Sequence, residues 1–237
     1  MIPLKDDIPG HSMPLITVGL ILANALAFFY QVSLQMTGDP GGLRAAQEVI
    51  VDFGAIPCRL SGFCESADQF PHPVVTVFTS MFLHGGLFHI AGNMLYLWIF
   101  GDNIEDALGH GRFLLFYLLA GVGAALAQTL ANPASGVPMV GASGAISGVL
   151  GAYLLLFPYA RVLTLITFGF FIRFVYIPAI IVLGFWIIVQ FLNGLVTFRL
   201  AAAGREAGGV AWFAHIGGFL AGMALVFVLR PRRPARL

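Results

Sequence analysis

Residues 176–198 run for 23 positions without an Asp, Glu, Lys or Arg. As a helix rising ~1.5 Å per residue, such a run is roughly 34 Å long, enough to cross the ~30 Å hydrocarbon core of a bilayer. Five further apolar runs share this character: 15–36, 85–100 with an apolar approach before it, 113–131, 142–157 and 210–229. The whole chain is 59% hydrophobic and 10% charged. A soluble domain carries roughly 25% charged residues, so a water-soluble fold is excluded. The expectation is an all-α polytopic membrane protein with six transmembrane helices. Short loops after the first favour one bundle over two domains, with a cytoplasmic lead at 1–14, a membrane domain at 15–229 containing an outer loop at 37–73, and a basic tail at 230–237. The lead, with Pro3, Pro9 and Pro14, reads as irregular. Between the fourth and fifth spans, Arg161-Val162-Leu163-Thr164-Leu165-Ile166-Thr167 and Phe171-Ile172-Arg173-Phe174-Val175-Tyr176 flank Gly169. Their β-branched and aromatic residues predict a short cytoplasmic hairpin.

The net charge of +1 gives no reason to expect a nucleic-acid partner, but the placement of the charges is informative. With the N-terminus inside, Lys5, Arg112, Arg161, Arg173, Arg230, Arg232, Arg233 and Arg236 fall on the inner side. Arg44, Arg59, Arg199 and Arg205 fall outside. That bias puts both termini in the cytoplasm, and the arginine tail reads as a positive-inside anchor. Ala25-Leu26-Ala27 mimics a signal-cleavage site. The apolar run nevertheless continues to Met36, and Asp6-Asp7 spoil a basic leader, so the first run is read as an anchor helix. The expected location is a bacterial inner (plasma) membrane, with the lipid bilayer as the first partner and no cofactor implied.

The outer loop carries Asp39, Glu48, Asp52, Glu65 and Asp68 against two arginines, and its stretch 43–51 is expected to form a short interfacial helix. It also holds Cys58 and Cys64. The oxidising side of a membrane lets such a pair close a disulfide, and two free thiols are equally consistent with the sequence. A zinc site is disfavoured because no other ligands cluster there.

Polar residues inside apolar spans are costly unless paired or used. His89 and Asn93 stand one turn apart on one helical face, either as an interhelical tie or as two donors aimed at a reacting oxygen. His84, just upstream, reads as structural or interfacial. Asp102, Glu105 and Asp106 close the second span too far from the serine discussed next to serve it, and are expected to be solvated or to tie helices. In Gly141-Ala142-Ser143-Gly144-Ala145-Ile146-Ser147-Gly148, the preceding Pro133, Gly136 and Pro138 cannot continue a helix, so Ser143 falls in a first helical turn. There a hydroxyl lies beside unpaired backbone N–H groups and the positive end of the helix dipole. On those eight residues alone Gly144 and Gly148 are better read as a packing face. In the last span His215, Gly218 and Gly222 share a face. If the two glycine faces meet, Ser143 and His215 come within reach of each other. The fifth span, bulky and poor in small residues, is expected to pack least tightly.

Taken together, Gly141-Ala142-Ser143-Gly144, His89 with Asn93, Ala214-His215 followed by Gly218 and Gly222, and Glu105 with Gly109 resemble the rhomboid family of intramembrane serine proteases. That resemblance implies Ser143 as nucleophile and His215 as general base, with His89, Asn93 and the Ser143 N–H as an oxyanion hole. Packing at the site would come from Gly141, Gly144, Gly148, Gly218 and Gly222. It implies single-span membrane proteins as substrates, cut near the outer end of their helix. A protease-dead relative, acting as a binding or quality-control factor, is the alternative, but would be expected to lack Ser143 or His215. Members of one branch carry a Trp-Arg pair where this chain reads Val75-Thr76. Some place an aromatic under the imidazole where this chain has Ser147, which leaves open what seats His215.

Overall fold

A computed structural model describes residues 1–36, 40–64, 70–168, 171–202 and 209–231. Its helices are α1 (Leu15–Gln35), α2 (Pro40–Phe53), α3 (Pro57–Ser61), α4 (Pro73–Thr79), α5 (Leu87–Leu108), α6 (His110–Ala131), α7 (Ser143–Leu156), α8 (Ala179–Ala202) and α9 (Trp212–Leu229). A single 3-10 turn, Ser80–Phe82, follows α4, and the strands are β1 (Ile2–Lys5), β2 (Arg161–Phe168) and β3 (Phe171–Pro178). The expected interfacial helix of the outer loop lies within α2.

Each of the six apolar runs contains a helix, but they are not six equal spans. Among the described residues α1, α6, α8 and α9 are long and apolar enough to cross a membrane. A fifth crossing is counted if α4, the 3-10 turn and α5, bent by 83°, are taken together. α7 has 14 residues, ~21 Å of helix against a ~30 Å core. The cause lies in the sequence before it: Pro133, Gly136, Pro138 and a Gly141 at φ 122° hold residues 132–142 out of a helix, so α7 starts late.

The bundle closes through backbone contact. A Cβ added at Gly218 would fall on the carbonyl oxygen of Gly144, and one at Gly222 on that of Gly148. α7 and α9 thus meet along the two glycine faces, as membrane helices do when small residues let backbones approach. α6 lies against both, its Ala120 and Ala124 opposing Gly148 and Gly144. Looser packing was expected of α8 above all the others. α8 does leave Phe185, Ile188, Phe191, Leu192 and Val196 exposed, yet α1 has still less of its length buried.

The all-α expectation needs correcting as well. β2 and β3 pair as the predicted hairpin from Arg161↔Pro178 to Phe168↔Phe171; its tip, residues 169–170, lies outside the described residues. A third strand comes from the lead that was read as irregular: β1 joins antiparallel to β2 through Ile2↔Leu165 and Pro3↔Thr164, giving the order β1-β2-β3. Pro3 is tolerated because β1 is an edge strand. The rest of the lead is strapped down by acids. Tyr153 donates its hydroxyl to Asp6 (2.5 Å), and the Arg161 N–H donates to Asp7 (2.7 Å). Asp106 accepts from the His11 N–H and from the backbone and hydroxyl of Ser12.

Buried Glu105 accepts from the N–H groups of Ile16 (2.9 Å) and Thr17 (2.8 Å) and from the Thr17 hydroxyl (2.7 Å). A carboxylate from α5 therefore satisfies the first turn of α1, where orphan N–H groups and the helix dipole favour negative charge. Of the two roles open to the acids that close α5, Glu105 takes the helix-tying one, while Asp106 holds the lead instead.

At the opposite end Cys58 and Cys64 are joined in a disulfide. Backbone hydrogen bonds between Ala55 and Met139, and from Cys58 to Ser135, hold the outer loop against the segment that leads into α7.

Candidate active site

Ser143 is the first residue of α7 and His215 sits in the first turn of α9. Because the helices touch along their glycine faces, the two side chains meet: Ser143 Oγ lies 2.8 Å from His215 Nε2. Gly141 positions the second pair. Its Cα lies so close to α5 that an added Cβ would stand 2.7 Å from His89 Nε2 and 3.5 Å from Asn93 Nδ2, and its φ of 122° is one that L side chains rarely adopt. The Gly141 N–H donates to Ser80 O (2.9 Å), fixing this turn to the start of the 3-10 segment. All four predicted polar residues, from three helices, therefore converge on the stretch 141–143. Gly144, Gly148, Gly218 and Gly222 lie in the α6–α7–α9 packing just described, and Cys58 and Cys64 lie apart from the site in the outer loop.

Three neighbours of His215 were not visible as site residues in the sequence. The Nδ1–H of His215 donates to Gln190 Oε1 of α8 (2.8 Å), and the Trp186 ring, one turn earlier on α8, lies 5.9 Å from the imidazole at 35°. Trp212 meets the same ring edge-on at 6.2 Å. These residues seat His215, whereas Ser147 turns away and donates to Ser143 O (2.6 Å). Gln190 stands in a charge-free run, so the rule that singled out His89 and Asn93 applied to it equally. The fourth addition is His84. It is buried, as the structural reading required, and Asn93 Nδ2 donates to its Nε2 (2.9 Å). One hydrogen of the Asn93 amide is thereby used, and the other stays free for a second acceptor.

The site opens into a cavity of about 520 Å³, with Phe88 and Tyr96 of α5 on one wall and Trp186 and Thr197 of α8 on the other; His89, Asn93, Ser143 and His215 all line it. Gln128 of α6 also reaches it, its Oε1 accepting from the Ala214 N–H (3.2 Å) at the start of α9. Among the described residues no group of His, Cys, Asp and Glu is arranged to hold a metal ion.

Fold and site together define a helical membrane protein in which a serine and a histidine share a hydrogen bond at a cavity between the helices. Residues 71–232 match the family model described as the Rhomboid domain, and the chain belongs to the rhomboid family. It is 36% identical over 163 residues to RHOMBOID-like protein 1 of Arabidopsis thaliana, covering 68% of this chain and 36% of that protein. It is 38% identical over 147 residues to Rhomboid protease GluP of Bacillus subtilis (strain 168), covering 62% of this chain and 25% of the relative. Similarity extends to Rhomboid protein 1, mitochondrial, of Saccharomyces cerevisiae, 32% over 154 residues, covering 63% of this chain and 40% of that protein. The chain thus matches between a quarter and two fifths of the length of these relatives.

Proposed function

We propose that this protein is an intramembrane serine endopeptidase that cleaves membrane-spanning helices with a Ser143–His215 dyad. The observation that carries the reading is the 2.8 Å hydrogen bond between Ser143 Oγ and His215 Nε2, formed across two helices and open to the cavity. In this mechanism Ser143 Oγ attacks the scissile carbonyl carbon while His215 Nε2 takes its proton. The carbonyl oxygen, now an anion, is met by the Ser143 N–H at the start of α7, by the free hydrogen of Asn93 Nδ2 and by His89. The tetrahedral adduct collapses as His215 returns the proton to the leaving amine. Water then enters and repeats the steps to free the acyl group.

A peptide bond inside a helix is sheathed by its own turns, so the substrate is expected to present an extended stretch with a small residue at the cut. The short α7 supports a serine recessed below the membrane surface at the outer end. Charge sorting supports an orientation with both termini cytoplasmic, the sheet inside and the disulfide loop outside. One of the relatives is bacterial, in keeping with a bacterial inner membrane. A protease-dead binding role is disfavoured because both dyad residues are present and bonded.

The test is cleavage of a labelled single-span substrate in proteoliposomes. Wild-type protein should release two fragments and Ser143→Ala none; equal cleavage by both would refute the reading.

A further inference from the structure

His215 is useful as a base only in one of its two neutral tautomers. Nε2 must hold the lone pair that faces Ser143, so the ring hydrogen must sit on Nδ1. In a Ser-His-Asp arrangement a carboxylate enforces this state by accepting from Nδ1–H. Here the partner is an amide, and an amide enforces a tautomer only if its own orientation is fixed.

That orientation is fixed on α8. Gln190 Nε2 donates to the carbonyl oxygen of Trp186 (3.2 Å). A carbonyl can only accept, so the amide nitrogen must face Trp186 and Oε1 must face His215, where it stands 2.8 Å from Nδ1. Gln190 is itself buried, so water does not compete for that oxygen. The same turn of α8 supplies the Trp186 ring, tilted 35° against the imidazole and packed in turn on Phe219 of α9, which limits rotation of His215. Residues 186 and 190 are four apart and share one helical face. One face of α8 therefore provides both a hydrogen-bond stop and a ring stop for the base.

We propose that Gln190 is the positioning residue of this site, holding His215 in the Nδ1–H tautomer through an amide anchored on the Trp186 carbonyl, with the Trp186 ring as its steric partner. This rests on the Ser–His reading above and adds a group from α8, the wall of the cavity opposite α5. It has two consequences. Outward movement of α8 to admit a substrate would part Gln190 from His215, so the base is oriented only while α8 lies against α9. A neutral amide also adds no charge to stabilise the imidazolium, so a carboxylate at position 190 should make His215 more basic. The groups facing His215 are Ser143 from α7, Gln190 and Trp186 from α8, Trp212 on α9 and His89, within electrostatic reach, from α5. Gln128 of α6 contacts only the neighbouring backbone. Apart from Ser143 and His215 themselves, His89 is the one titratable group in that set.

The experiment uses full-length protein in lipid nanodiscs, with ¹⁵N-histidine spectra assigned by His215→Ala and kinetics on the labelled substrate. Gln190→Met keeps the size and removes the acceptor; Gln190→Glu keeps an acceptor oxygen. Gln190→Met should populate the Nε2–H tautomer and lower kcat at least about tenfold. That loss should stay below the roughly 10⁴-fold loss seen when a triad carboxylate is neutralised, with KM and melting temperature little changed. Gln190→Glu should keep the Nδ1–H tautomer, recover kcat, and move the acidic limb of the rate profile to higher pH. Met and wild-type proteins with the same tautomer and the same pH profile would overturn the proposal, as would a Met variant whose lost activity follows its folded fraction alone. If the wild type cleaves nothing, the protease reading falls, and the tautomer spectra of wild type and Gln190→Met still decide the role of Gln190.

Discussion

A hydroxyl becomes a useful nucleophile only when its proton has somewhere to go, and in the proposed mechanism that place is the imidazole of His215, 2.8 Å away. Ser143→Ala and His215→Ala should each abolish cleavage while leaving the fold intact. The double variant should be no worse than either, because the members of such a unit do not contribute additively; turnover of the three variants checks this. Asn93 separates a tie from a donor. If it only joined helices, Asn93→Ala would lower stability by about 1 kcal/mol, with activity following the folded fraction. As an oxyanion donor its loss should cut turnover by roughly two to three orders of magnitude, about 3 to 4 kcal/mol, with substrate affinity retained. His89→Ala should show the same signature in milder form. These four residues could be read from the sequence because each is polar within an apolar run or sits beside a helix-breaking loop. Gln190 obeyed the same rule but lay in a span valued for its bulk, and nothing local tied it to His215, 25 positions away. His84 could be identified as structural, but its partner Asn93 becomes evident only once the bend between the 3-10 turn and α5 brings the two together.

Among the elements, α7 and α9 are held by backbone contact, and the glycines that allow it should tolerate nothing larger. Gly222→Val would drive a side chain into the backbone of Gly148 and should lower stability by about 1–3 kcal/mol or more. Gly184→Ala, where an added Cβ meets nothing within 4 Å, should be neutral or slightly stabilising; melting temperatures of the two variants test the contrast. That this interface would form was readable from glycines at helical spacing on two distant segments. β1 was not, because Ile2-Pro3-Leu4-Lys5 has no strand signature of its own and its partner lies some 160 residues further on. The β1 lead also carries a pH dependence. Burial holds the Asp6 carboxyl above the ordinary aspartate range, so the folded state keeps that proton to higher pH than the unfolded chain does. The associated stability is complete below the unfolded value and is lost as pH rises through the raised folded one. Asp6→Asn can still accept from Tyr153 and should flatten this part of the curve, measured as melting temperature against pH from about pH 4 upward.

For the molecule as a whole, charge and geometry divide the same way. Lys5, Arg112, Arg161 and Arg173 belong to the end with the sheet, and Arg44 and Arg59 to the end with the disulfide loop and the site. Even so, counting 142–157 as a sixth span overlooked that 16 residues make only ~24 Å of helix and that the Pro/Gly loop already placed its start at Ser143; α7 is the 14-residue result. In the proposed mechanism a membrane helix would reach Ser143 through the cavity lined by α5 and α8. A bifunctional thiol linker joining Phe88→Cys on α5 to Thr197→Cys on α8 should slow cleavage of transmembrane substrates and spare short soluble peptides. Undiminished rates with complete linkage would exclude entry by that path. Whether His215 activates Ser143 at the meeting of α7 and α9 is decided by reacting the protein in membranes with a fluorophosphonate and locating the adduct by mass. A single phosphonylated residue, Ser143, is expected, with the labelling rate falling by orders of magnitude in His215→Ala. Labelling on another serine, or an equal rate without His215, would rule out activation of Ser143 by His215.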